Sequence, residues 1–241
     1  MTYFYVKDIV MKNIKSINNW PLQTLYEITG SFFLAFFYFI LLEFTLTDVV
    51  SFPLILGSVL FAILYFVLII ILSKNYSPHF IPLISFIELL RTEKSDGFLL
   101  RISGQFAGAL LATLVHFFIL KTSISVNLTL YAVPLHPLLT AIFTGFISQF
   151  VYFLIIALDR VNPTIVKYLL LSVVLGVIFG LASRLTSITI LNPFGLILQY
   201  IFLGNPVSLP ILIQGFLVHI FTPVIFVSGT HYFMKGFVYK K

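Results

Sequence analysis

The 241-residue chain contains no cysteine, which excludes disulfides and thiolate metal sites. Charge is scarce as well. Asp, Glu, Lys and Arg make up 9% of the residues against 60% hydrophobic ones, and the mean hydropathy is +1.10. A soluble domain carries roughly a quarter charged residues, so the composition points to an integral membrane protein. Period-two alternation is missing from the long apolar runs, which argues against a barrel and for transmembrane helices. Also missing are His-Glu-x-x-His and paired aspartates, so an embedded protease or acyltransferase lacks its acid–base or metal partners, and no catalysis, cofactor or metal is expected. Residues 1–20 have no apolar core of the kind a signal peptide requires, and no cleavage is expected. Instead Val6, Val10, Ile14 and Ile17 recur at helical spacing with Lys7, Lys12 and Lys15 between them and Trp20 at the end. That pattern predicts a short basic helix on the membrane surface.

What the chain does have is two proline turns, each following an apolar run and opening a short apolar segment. They are Tyr76-Ser77-Pro78-His79-Phe80-Ile81-Pro82-Leu83 and Ile190-Leu191-Asn192-Pro193-Phe194-Gly195, with Pro82 and Pro193 111 residues apart. A helix of about ten residues is roughly 15 Å long, half a hydrocarbon core. Such a half-span needs more protein to complete it, because unpaired backbone does not face lipid. Six long spans surround the turns, at about 22–46, 52–73, 98–120, 136–158, 165–183 and 209–234, with half-segments at 82–90 and 193–203. The order is span, span, half-span, span, twice over. Three spans per half is odd, so the second half is predicted to be inserted upside down, an inverted repeat with its pathway at the membrane midplane.

The predicted fold is an all-α membrane protein of six transmembrane helices plus two re-entrant half-helices. Its expected parts are an interfacial segment 1–20, a first repeat 21–121, an extracellular loop 122–135, a second repeat 136–234 and a tail 235–241. With both termini cytoplasmic, twelve of the fourteen Lys and Arg residues fall inside and only Lys121 and Arg184 outside, a strong positive-inside bias. The net charge of +6 is accounted for by this placement, and nucleic acid is not an expected partner.

Four fragments in order carry a family resemblance: Glu27-Ile28-Thr29-Gly30 in the first span, His79-Phe80-Ile81-Pro82-Leu83-Ile84-Ser85, Gln105-Phe106-Ala107-Gly108-Ala109 in the third, and Leu191-Asn192-Pro193-Phe194-Gly195. Together they resemble the aquaporins, the major intrinsic protein family, in which the two turns read His-Leu-Asn-Pro-Ala-Val-Thr and Met-Asn-Pro-Ala-Arg. The resemblance implies a homotetramer with one pore per subunit, passing water or a small uncharged solute such as glycerol across the bilayer. Half-helices meeting N-terminus to N-terminus each aim about half a positive charge at the pore centre, which opposes cations and protons while neutral acceptors pass.

The pore centre is expected at Ile81, Pro82, Leu83, Asn192, Pro193 and Phe194, and the chain departs from the family pattern at Ile81, Leu83, Phe194 and Gly195. Ile81 replaces the first asparagine, losing a cap of about 1 kcal/mol. Leu83 and Phe194 replace the two alanines, and Gly195 stands at the position of the filter arginine. Spacing from the prolines puts the rest of the selectivity filter at Phe61, Gly180 and Thr189, a set wider and less polar than a strict water pore. Glycine at the fifth-span position resembles the glycerol-conducting branch. Structural polar roles are expected of Glu27, facing backbone N–H groups; of His79, bracing its loop; and of Gln105, bonding between helices. Small residues Gly104, Gly108, Ala109 and Ala112 predict close helix packing. The alternatives are a non-conducting relative with Ile81, Leu83 and Phe194 closing the centre, and a coupled secondary transporter, for which Glu27 sits too near the inner end.

Overall fold

The computed structural model describes residues 20–46, 54–73, 77–95, 97–116, 118, 137–185, 194, 213 and 217–238. Among the described residues there is no strand. The elements are α1 (Trp20–Leu46), α2 (Leu54–Leu72), α3 (Pro82–Thr92), α4 (Phe98–Val115), α5 (Pro137–Leu158), α6 (Thr164–Leu185), a π-helical turn Leu217–Phe221 and, running on from it, α7 (Thr222–Val238). Among the described residues, four stretches are long and apolar enough to cross a membrane: Ile55–Leu72, Phe98–Val115, Leu138–Leu158 and Leu217–Gly236. The chain is a helical integral membrane protein.

Burial follows the helical period but with the usual sign reversed. In α2 every fourth residue, Ile55, Val59, Ile63, Val67 and Ile71, is exposed, and Leu139, Phe143, Phe146, Phe150 and Phe153 present a similar row on α5. Such apolar outer faces suit lipid. The interior holds Phe61, Tyr65, Leu68 and Ile69 of α2, and it also holds the polar side chains Glu27, Ser31, Gln105, Thr140, Thr144 and Ser148. Polar groups turned inward are the arrangement expected where the outer medium cannot hydrogen-bond.

The helices pair α1 with α4, α2 with α6 and α5 with α7, while α3 touches α4, α5 and α7 at once. Bare backbone makes the first pairing possible. A Cβ on Gly108 would lie 2.4 Å from the Ile28 carbonyl oxygen and 2.9 Å from the Phe32 nitrogen, and one on Gly104 would lie 3.0 Å from the Thr24 oxygen. Gly176 of α6 is equally close to the Ser58 oxygen of α2, at 2.6 Å. Gly108→Ala therefore pushes α1 off α4, with an overpacking cost of about 1–3 kcal/mol. The expected result is a lowered thermal midpoint in detergent; an unchanged midpoint would mean the two backbones do not touch there.

Among the described residues the ion pairs lie at one end of the bundle. Arg91, in the last turn of α3, bonds Glu88 at 3.0 Å and also pairs with Asp159, which in turn accepts from Lys167 at 2.7 Å. Glu93 pairs with Lys235 of α7. The hydrogen bond from Lys235, and then its charge, hold the Glu93 carboxyl below the usual glutamate range.

Candidate functional site

The feature around which the polar interior is built is the approach to α3. After α2 the chain turns back, and residues 78–81 lie inside the protein: His79 is 7% exposed, Phe80 1% and Ile81 2%. Buried irregular backbone must find partners for its N–H and C=O groups. One helical turn of α1 supplies most of them. Glu27 accepts the His79 N–H through Oε1 at 2.9 Å and the Phe80 N–H through Oε2 at 2.8 Å. Ser31, four residues on and so on the same face, donates to the Phe80 carbonyl at 2.8 Å. Tyr65 of α2 donates to the His79 carbonyl at 3.3 Å.

Phe80 holds a left-handed backbone, φ 59°, which swings its ring against α1. A Cβ on Gly30 would sit 2.1 Å from that ring, so the glycine is what admits it. The Glu27-Ile28-Thr29-Gly30-Ser31 run thus contributes an acceptor, a space and a donor to a single loop.

A second layer comes from α4. Gln105 donates to Glu27 Oε2 at 2.9 Å and to Ser85 Oγ at 2.8 Å, joining α1 to α3. The Ser85 hydroxyl is 3.1 Å from His79 Nδ1, and Arg101 Nη1 lies 3.2 Å from both ring nitrogens. A guanidinium only donates, and Nη1, equidistant from the two nitrogens, singles out neither of them as the acceptor. Sequence reasoning singled out Glu27, His79 and Gln105, and the structure brings all three into one network. It did not find Ser31, Tyr65 or Arg101. Arg101 and Gln105 are four apart, as are Glu27 and Ser31, and polar pairs at that spacing in apolar helices were the available signal.

From this loop α3 runs 11 residues, about 16 Å. Ile81 precedes it in extended conformation (φ −123°, ψ 123°) without a side-chain cap, and Pro82 opens it. The Ile81 carbonyl accepts from the N–H groups of Ile84 and Ser85 at 3.0 and 3.3 Å. Glu93 ends it in the left-handed region, φ 55°, its N–H bonding the Leu89 carbonyl.

Thr189, Asn192, Pro193 and Gly195 lie outside the described residues. Phe194 is described: its ring meets Phe106 of α4 edge to face at 5.3 Å. With Pro82, Leu83 and His219 it lines a largely apolar cavity of about 270 Å³. The structure therefore brings Phe194 and the start of α3 to one space. Phe61 stacks on Phe179 of α6 at 4.5 Å and 12°, one residue from Gly180, and is 3% exposed. Among the described residues no group of three or more metal-ligating side chains clusters.

In the second half, Thr144 and Ser148 of α5 repeat the spacing and depth of Glu27 and Ser31: they are the eighth and twelfth residues of their helix, as those are of α1. Both are fully buried, and Thr144 Oγ1 has no hydrogen-bond partner among the described residues.

Set against models of known protein families and against curated proteins, the chain matches none.

Proposed function

We propose that this chain is a passive channel of the aquaporin type, conducting water or a small uncharged solute such as glycerol down its gradient. The observation that carries the reading is the short helix α3, too short to span a bilayer, whose first residues are buried in the protein interior and hung from Glu27. A helix that starts inside the bundle points its positive end there, which favours neutral solutes over cations. Phe194 sharing a cavity with Pro82 and Leu83 supports a second short segment meeting the first. The helix pairing supports an inverted repeat of six spans. Exchanging α1, α2 and α4 with α5, α6 and α7 leaves the pairs α1–α4, α5–α7 and α2–α6 unchanged as a set. In this reading the charged end of α3 and both termini are cytoplasmic, following the distribution of Lys and Arg, and the assembly is a homotetramer.

Rapid osmotic shrinkage of proteoliposomes, with water and then glycerol as the permeant, tests the proposal. Shrinkage faster than in empty vesicles is expected, without ionic current. Two observations favour a second reading, a non-conducting membrane protein of the same architecture: the Phe61–Phe179 stack is tight, and Ile81 and Leu83 are buried. Shrinkage at the rate of empty vesicles would support it.

A further inference from the structure

The cavity of about 270 Å³ shared by the start of α3 and Phe194 has apolar walls with one exception. Among the described residues that line it, His219 alone carries a polar side chain; Pro82, Leu83, Phe86 and Phe194 are among the rest. His219 is 3% exposed, so its imidazole belongs to the interior and not to the outer face of the bundle. Its placement follows from the residues after it. Pro223 has no N–H to give the His219 carbonyl four residues back, and a proline ring crowds that carbonyl in an α-helix. The chain answers with the wider π-helical turn Leu217–Phe221, and the Thr222 hydroxyl donates to the Leu217 carbonyl, five residues back, at 3.1 Å. Turns of this kind are frequent at functional sites. Here the turn brings His219 to the same space as the first residues of α3.

We propose that His219 selects the solute, its imidazole bonding a hydroxyl of a short alcohol or polyol whose carbon body lies against Leu83, Phe86 and Phe194. This deepens the channel reading and rests on it. A solute entering from water leaves hydrogen bonds behind, and each one not replaced raises its barrier. The side chains of Pro82, Leu83 and Phe194 replace none, nor does that of Ile81 next to them. The imidazole does, because either ring nitrogen can pair with a hydroxyl, which both donates and accepts. Urea fits less well, having several polar groups to satisfy and no carbon body for the wall. Water depends on the imidazole less, since a cavity of this size admits several molecules, each taking about 30 Å³, that bond one another.

Light scattering from proteoliposomes of the full chain, mixed rapidly with water, glycerol or urea gradients, tests this. The wild type is expected to pass glycerol faster than urea. His219→Leu and His219→Phe remove the ring nitrogens in two shapes, so that one serves if the other aggregates. Either should slow glycerol about fivefold, the worth of one hydrogen bond, and leave water nearly unchanged. His219→Gln, which keeps a donor and an acceptor, should recover most of the glycerol rate. An unchanged glycerol rate in the apolar variants would overturn selection by His219 and leave the channel standing. So would glycerol and water falling by the same factor, no recovery in His219→Gln, or urea passing the wild type as fast as glycerol. Aggregation of both apolar variants would overturn it too, by assigning the imidazole to holding the fold. Wild-type vesicles that match empty ones for all three permeants would instead remove the channel reading, and this inference with it.

Discussion

Proteoliposomes carrying Phe61→Ala are expected to shrink about tenfold faster in an osmotic step than those carrying the wild-type chain. Phe61 and Phe179 stack face to face at 4.5 Å, across the two helices that also hold Gly180 and meet at Gly176. An aromatic pair of this kind is worth about 0.5–1.5 kcal/mol beyond the area it buries. If solute must part the rings to pass, that energy enters the barrier, and about 1.4 kcal/mol is a factor of ten in rate. The gain should be larger for glycerol than for water, because the bulkier solute must separate the rings further. Equal shrinkage of wild-type, Phe61→Ala and empty vesicles would remove the conducting proposal and leave the non-conducting one. A size-exclusion profile matching the wild type guards against misfolding of the variant.

The second large effect concerns Glu27. Replacing it by leucine removes the acceptor for the His79 and Phe80 N–H groups and for the Gln105 amide. Each orphaned buried donor costs about 1–3 kcal/mol, and no bilayer water is at hand to compensate. A loss of about 3–9 kcal/mol out of a typical total of about 5–15 kcal/mol leaves little folded protein. Glu27→Leu is therefore expected to elute from size exclusion as aggregate. Glu27→Gln keeps one oxygen acceptor and should fold with a lowered thermal midpoint. Ser31→Ala, which removes a single donor to the Phe80 carbonyl, should cost about 1 kcal/mol. If Glu27→Leu melted like the wild type, the hydrogen bonds from residues 79 and 80 would not be what holds the loop inside.

Much of this was legible before any coordinates, and the reason differs by residue. Long apolar runs announce helices because they can satisfy their backbone alone, and a carboxylate placed among them announces a role because it is costly there. Hence Glu27 stood out, as did the glutamine and histidine that bond with it. Boundaries were less legible. The segment expected at 82–90 runs to Thr92, because its stop is Glu93 in a left-handed conformation with no glycine or proline to advertise it. α1 begins at Trp20 rather than 22 because Pro21 fits a first turn, where it costs no hydrogen bond. Spacing from the prolines singled out Phe61 and Gly180, but it carries no information on the Phe179 ring that covers Phe61. That contact belongs to the pairing of α2 with α6. Ser31, Tyr65 and Arg101 escaped for the same reason, since each matters through a partner on another element.

The clasp around residues 79 and 80 also fixes an order of assembly. Glu27, Ser31 and Tyr65, which satisfy that stretch of backbone, all precede it in the chain. They are made before the stretch leaves the ribosome, as N-terminal parts are. Among the described side chains that hold it, only those of Ser85, Arg101 and Gln105 arrive afterwards. A nascent chain that has just finished α3 already contains the acceptors and donors its buried turn requires, and α4 then locks a loop that has a seat waiting for it.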